Sequence, residues 1–185
     1  KCPDLSGKGK VTFCPGLPTG SENGRGEEQE RLKAGKVMPT PSGKKVLDFG
    51  QNIAGYVEFR LDAKGGQKLK LRFGEMFDEN GEFTQKNFQC VKKERKTPLQ
   101  QIEYTCREGV NEYKTRFAIF GFQYALVEGD APWKEEDFTA IAVYSSMESR
   151  VAFESSNALL NQFVENTRGS APNTQSEVPT DYPTR

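Results

Sequence analysis

The sequence predicts a mainly β fold: an antiparallel β-sandwich followed by one helix and an extended tail. Three observations predict it. Apolar and polar residues alternate with a period of two in several runs between Lys45 and Ser145. Turns containing Gly separate those runs. From Phe153 the apolar period lengthens to that of a helix.

The first forty residues are rich in Gly, Pro, Lys and Glu, and Pro15-Gly16, Pro18, Gly20, Gly24 and Gly26 interrupt any regular pattern. Val11 to Phe13 suits one short strand, and Glu27 to Lys36 a short helical turn or exposed linker. Residues 1–42 are therefore expected to be an N-terminal extension or a linker from a preceding domain. The sandwich is expected over residues 43–150. Its first strand, Lys45 to Phe49, follows a Ser42-Gly43 turn. A second runs from Gly55 to Ala63, where Val57, Phe59, Leu61 and Ala63 alternate with Tyr56, Glu58, Arg60 and Asp62. After Gly65-Gly66, a third places Leu69, Leu71 and Phe73 on one face and Lys68, Lys70 and Arg72 on the other, the pattern of a strand with one wet face. Gln100 to Arg107 is a further strand, closed by a Glu108-Gly109 turn. Tyr113 to Glu128 holds one long strand or two, with Phe117, Ile119 and Val127 alternating with Phe120, Phe122, Tyr124 and Leu126, so both faces are expected to be covered. Phe138 to Ser145 is the last strand. Residues 151–185 hold a helix carrying Leu159, Leu160, Phe163 and Val164, with Ser155 or Ser156 to cap its start and Gly169 its end, and then a Pro-punctuated tail.

Composition narrows function. Twenty-six basic residues balance 26 acidic ones, so no global field draws the chain to nucleic acid or an anionic membrane. No apolar run is long enough to span a bilayer. His is absent, which removes the usual base of Ser and Cys hydrolases and the commonest metal ligand. Cys2, Cys14, Cys90 and Cys106 fit no zinc or redox spacing. Four cysteines allow three pairings, but a core of this size needs no staple, and free thiols are the plainer reading.

Two motifs carry more. Asp48-Phe49-Gly50-Gln51-Asn52-Ile53-Ala54-Gly55 opens the sandwich, and Pro179-Thr180-Asp181-Tyr182-Pro183-Thr184-Arg185 closes the chain. Between them stand Gly65-Gly66, Gly74-Glu75, Phe117-x-x-x-Gly121-Phe122-x-Tyr124 and Ser156-Asn157-x-Leu159-Leu160-Asn161. This ordered set resembles the bacterial α-L-rhamnosidases of glycoside hydrolase family 78, from about Gly43 to Arg185. The resemblance implies a jelly-roll, concanavalin-like sandwich leading into an (α/α)6 catalytic barrel, and hydrolysis of terminal α-linked L-rhamnose with inversion. By the same resemblance Asp181 matches the Asp that contacts the bound sugar. Arg185 matches the Arg beside the general acid, which lies just beyond it, and the base lies much further on. No catalytic residue is therefore expected within the chain, which alone is expected to be inactive. Gln123 stands where the family usually has Arg, Tyr182 where Cys is common, and Thr184 where Gln is common. No organic cofactor is implied, and a structural Ca²⁺ is compatible with the family although no dense carboxylate loop calls for one. The implied partners are rhamnose-containing glycosides and the catalytic barrel of the same polypeptide. The helix offers a surface for self-association. The compartment is left open.

Within the sandwich, Glu75 is the foremost candidate for chemistry, against a plainer role accepting hydrogen bonds from loop N–H groups around Gln51 and Asn52. Those two amides could hold a sugar, but more simply they shape a turn between strands. Phe120, Phe122, Tyr124 and Trp133 could stack on sugar rings, but more simply they pack in the core or against a neighbouring domain. Lys92 to Lys96 could hold phosphate, but without a global positive charge it fits a solvated loop. A reading from a different class is a free-standing carbohydrate-binding module, against which the helix and the closing motif argue.

Overall fold

The computed structural model describes residues 26–88, 99–145 and 152–170. Cys2, Cys14, Cys90, the Lys92 to Lys96 run, Asp181 and Arg185 lie outside the described residues, as does the short strand expected at Val11 to Phe13. The described strands are β1 (Gly26–Lys33), β2 (Lys36–Pro39), β3 (Lys45–Ala63), β4 (Lys68–Gly74), β5 (Met76–Phe77), β6 (Phe83–Thr84), β7 (Gln101–Thr105), β8 (Gly109–Tyr113), β9 (Phe120–Gly129) and β10 (Phe138–Ser145), followed by one helix, α1 (Ala158–Ser170). No described helix is long and apolar enough to cross a membrane.

The architecture is organised by β3, which is 19 residues long. Along one of its edges run β2 and then β10; along the other run β9 and then β8. Its first part thus joins a layer ordered β2–β3–β9–β4–β7, and its second part a layer ordered β1–β10–β3–β8, all antiparallel. One continuous sheet curls into a two-layer sandwich. Leu69, Leu71, Phe73, Phe122 and Val127 of the first layer share a buried core with Val57, Phe59, Leu61, Phe138 and Ala140 of the second. Phe59 meets Tyr104 across the layers edge-on, ring centroids 5.2 Å apart. In β4, Leu69, Leu71 and Phe73 are buried and Lys68, Lys70 and Arg72 more open, as the alternation predicts.

Four expectations need correction. First, Glu27 to Lys36 is neither helical turn nor linker: β1 pairs with β10 from Gly26↔Ser145 to Lys33↔Thr139, with a register shift near Gln29. Its charged residues suit a sheet edge, where they discourage pairing with another chain, and tertiary pairing overrides their helical propensity. Second, the chain does not turn back at Gln51-Asn52. Asp48 pairs with Tyr124 and Ile53 with Phe122, so both ends of the motif run along the same strand and residues 49–52 form a bulge. Third, Phe117 and Ile119 belong to no strand. The chain leaves the sheet after Tyr113 and re-enters at Phe120, and Phe117 is 99% exposed. Alternation orders side chains only while the strand is paired. Fourth, the helix is capped by neither Ser155 nor Ser156. Asn157 Oδ1 accepts the amide N–H groups of Leu159 and Leu160 at 3.0 and 3.4 Å, and the helix runs through Gly169 to Ser170. Leu159, Leu160 and Phe163 remain exposed.

Candidate functional site

The residues around the Asp48–Gly55 motif converge on the β3 bulge, and the local chemistry explains each one. Asp48 Oδ1 accepts the backbone N–H of Gly50 at 2.8 Å, the short-range turn that Asp favours. Gly50 has φ of +82°, a left-handed conformation open to Gly at little cost. Phe49 and Ile53 are buried at either end of the bulge, and Phe49 packs edge-on against Phe122 at 5.8 Å. Gly55 closes the motif because nothing larger fits: a Cβ there would lie 1.9 Å from the carbonyl oxygen of Ile141 on β10.

The polar side chains of the motif are engaged by neighbours. Gln51 Nε2 donates to Glu30 Oε2 at 3.0 Å, tying the bulge to β1. Asn52 Nδ2 donates to Glu75 Oε1 at 3.0 Å, and Asn87 Nδ2 donates to Glu75 Oε2 at 3.0 Å. Glu75 thus acts as a clasp between the bulge and the segment after β6, its donors being side-chain amides. Gln123 donates through Nε2 to Asp48 Oδ1 at 3.1 Å. At this position, where the resemblance has Arg, it supplies a neutral donor in place of a charged guanidinium. Beside it, burial first, and then Asp48, raise the Tyr124 hydroxyl above the ordinary phenol value.

The aromatic candidates are structural. Phe122 is fully buried, and Phe73 stacks on Phe120 at 4.6 Å. Tyr124 meets Phe77 at 4.9 Å. Trp133 lies edge-on to Phe138 at 5.7 Å, with the Lys45 ammonium 5.5 Å from its centroid. None of these four forms an open platform.

Sequence reasoning missed two buried polar hubs and a polar seam. Asn111 is 0% exposed. Its Oδ1 accepts from Arg107 N at 2.9 Å and from the Tyr104 hydroxyl at 3.2 Å, and its Nδ2 donates to the carbonyls of Arg107 and Gly109 at 2.9 and 2.7 Å. It shapes the corner where the chain passes from β7 in one layer to β8 in the other. The Asn two residues after Gly109 was the available signal. Gln85, also buried, donates to the carbonyls of Phe73 and Gln100 and accepts from Arg72 Nε. Along β1, the Tyr56 hydroxyl donates to Glu28 at 2.6 Å and the Tyr144 hydroxyl to Glu30 at 2.7 Å. Burial and then the bond to Glu30 push Tyr144 up to about 12. Lys114 also donates to Glu28, and hydrogen bonds from Lys114 and then Tyr56 hold the Glu28 carboxyl below its ordinary value. Among the described residues, no cluster of three or more Cys, Asp or Glu forms a metal site.

Comparison with known proteins places this geometry. Residues 38–144 match the model of the bacterial alpha-L-rhamnosidase concanavalin-like domain. An α-L-rhamnosidase of Streptomyces avermitilis is 29% identical over 159 residues, covering 84% of this chain and 15% of that protein. An α-L-rhamnosidase of Formosa agariphila is 28% identical over 145 residues, covering 76% of this chain and 15% of that protein. Among solved structures, the S. avermitilis α-L-rhamnosidase complexed with L-rhamnose superposes with a TM-score of 0.77 at 28% identity, over 89% of this chain and 16% of that one. The chain thus spans about 15% of the length of the curated relatives it matches.

Proposed function

This chain belongs to the family of the bacterial α-L-rhamnosidase concanavalin-like domain, and on that premise we propose that it is the non-catalytic accessory sandwich of a larger glycoside hydrolase that removes terminal α-linked L-rhamnose with inversion. Inverting hydrolysis needs an acid and a base about 6.5–9.5 Å apart on opposite sides of the sugar. The observation that carries the reading is the use to which the motif is put: Glu75 is held by two amides, and Gln51, Asn52 and Asp48 bond within the fold. These groups build a bulge that lets one strand serve two layers. In this reading the chemistry belongs to a neighbouring helical barrel, into which α1 leads, and the sandwich braces it. Asp181 holds the sugar there, and Arg185 adjoins the general acid.

The test is hydrolysis of an aryl α-L-rhamnoside. The 185-residue chain alone is expected to release no more phenol than buffer. A longer gene product that includes the helical barrel is expected to turn the substrate over and to lose most of that activity on Asp181→Asn. Activity in the chain alone that copurifies with it and disappears in Glu75→Gln would move the catalytic site into the sandwich and overturn the proposal.

A further inference from the structure

Residues 114–119 leave the sheet edge between β8 and β9 and border two open clefts, of about 1070 and 640 Å³, which share Lys114, Thr115, Arg116, Phe117 and Ala118. Phe117 presents its ring to solvent, at 99% exposure. Thr115, two residues earlier in the cleft wall, is 8% exposed, and its hydroxyl oxygen is buried without a hydrogen-bond partner among the described residues. Buried polar atoms are nearly always paired, so this one calls for an explanation. The larger cleft also carries charge of both signs: Glu58, Glu112, Glu136 and Asp137 stand with Arg60, Lys114 and Arg116. Most of these groups are already paired, Arg60 Nε with Glu112 Oε1 at 3.1 Å, Glu58 with Arg31, Lys114 with Glu28 and Glu136 with Lys134, so a ligand would meet them through their remaining hydrogen-bonding positions.

That lining selects a ligand class. Four carboxylates oppose a phosphate, and three cationic groups oppose a metal ion. The polar walls suit no purely apolar ligand. A neutral polyol fits: carboxylates accept its hydroxyl hydrogens, guanidinium and ammonium groups donate to its oxygens, and an open aromatic ring takes its C–H face. We propose that the cleft beside residues 114–119 is a non-catalytic binding site for a sugar unit, with Phe117 as the stacking surface and the Thr115 hydroxyl as a latent partner. The sugar class rests on the lining alone; the choice of an L-rhamnoside as first probe rests on the proposed function.

The experiment is calorimetric titration of the 185-residue chain with methyl α-L-rhamnoside, and separately with D-glucose, D-galactose and sucrose. Binding is expected for at least one, with roughly tenfold weaker affinity in Phe117→Ala, equivalent to about 1.4 kcal/mol. Phe117→Trp is expected to retain it, and Glu112→Gln to weaken it. The exposed ring makes Phe117→Ala neutral for folding, which circular dichroism verifies. Binding of other sugars but not the rhamnoside upholds the site and leaves the proposed function to the hydrolysis test. Absence of binding by every probe, or affinity unchanged in Phe117→Ala, overturns the proposal.

Discussion

Asn111→Ala removes the buried side chain that makes four hydrogen bonds at the corner between the two layers, three of them within Arg107 to Gly109. All four are lost at once, and those three are to backbone groups. A typical net contribution is about 0.5–1.5 kcal/mol per bond, and a partner left buried and unpaired costs more. Arg107 itself is exposed, so water can replace part of what is lost. The expected cost is therefore about 3 kcal/mol, a large share of the roughly 5–15 kcal/mol that holds a domain folded. For a chain of this length about 1 kcal/mol moves the melting temperature by about 2–4 °C, so a drop of about 6–12 °C is expected. Urea unfolding followed by the fluorescence of Trp133, the single tryptophan, measures it. Asn111→Asp sharpens the test. It keeps the acceptor but sets a second oxygen against two carbonyls and buries a charge, so at neutral pH it should be at least as damaging as Ala. It should recover partly in acid, as protonation supplies one donor. If Asn111→Ala unfolds within 1 kcal/mol (about a third of the expected loss) of the wild type, the corner does not depend on this amide and the reasoning fails.

Three further outcomes are expected. Gly55→Ala forces a methyl to within 1.9 Å of the Ile141 carbonyl oxygen and should destabilise by more than about 3 kcal/mol or abolish folding, as circular dichroism and thermal melts would register. Glu28 contributes stability that is present above the unfolded carboxyl value near about 4.3 and is lost as pH falls through its lower folded value. The pairing is partly exposed, so Glu28→Gln should cost only about 0–1 kcal/mol at pH 7 and flatten the stability–pH curve below about pH 4.5; an unchanged acid limb would refute the linkage. The exposed stripe of Leu159, Leu160 and Phe163 should make the chain self-associate with rising concentration, and Leu160→Lys should suppress this in light scattering. A strictly monomeric wild type, unaffected by that change, would show the stripe to be inert.

What was legible in the sequence was what repeats locally. Lys68 to Phe73 and Val57 to Ala63 announce themselves because each buries alternate residues against a core on one side, while Gly55, Tyr56 and Val57 are buried in succession. What was illegible depended on distant partners. Gly50, Gln51 and Asn52 carry the residues of a turn, yet residues 49–52 are a bulge, and only β9 pairing on both sides of it distinguishes the two. The charged β1 reads as linker because an edge strand needs little apolar surface, and Leu32, its single large apolar residue, packs on the core. Phe117 and Ile119 keep the strand rhythm in sequence although the backbone there has left the sheet. For the candidate site, the plain reading of Glu75 placed its donors among loop N–H groups around Gln51 and Asn52; the donors are side-chain amides, of Asn52 and of Asn87, and Asn87 and the Gln51–Glu30 bond arise from folding together segments far apart in the chain.

The length of β3 has a mechanical consequence. Because a single strand passes without interruption through both layers, neither can slide, rotate or peel from the other without breaking hydrogen bonds along the same backbone. Force applied at one layer is transmitted to the other through covalent bonds as well as through side-chain packing. A sandwich closed only by apolar contact between separate sheets can yield by shear; this one resists as a strut. Hydrogen exchange should accordingly find Val46 and Val57, on opposite sides of the bulge, opening in the same global event and not one layer ahead of the other.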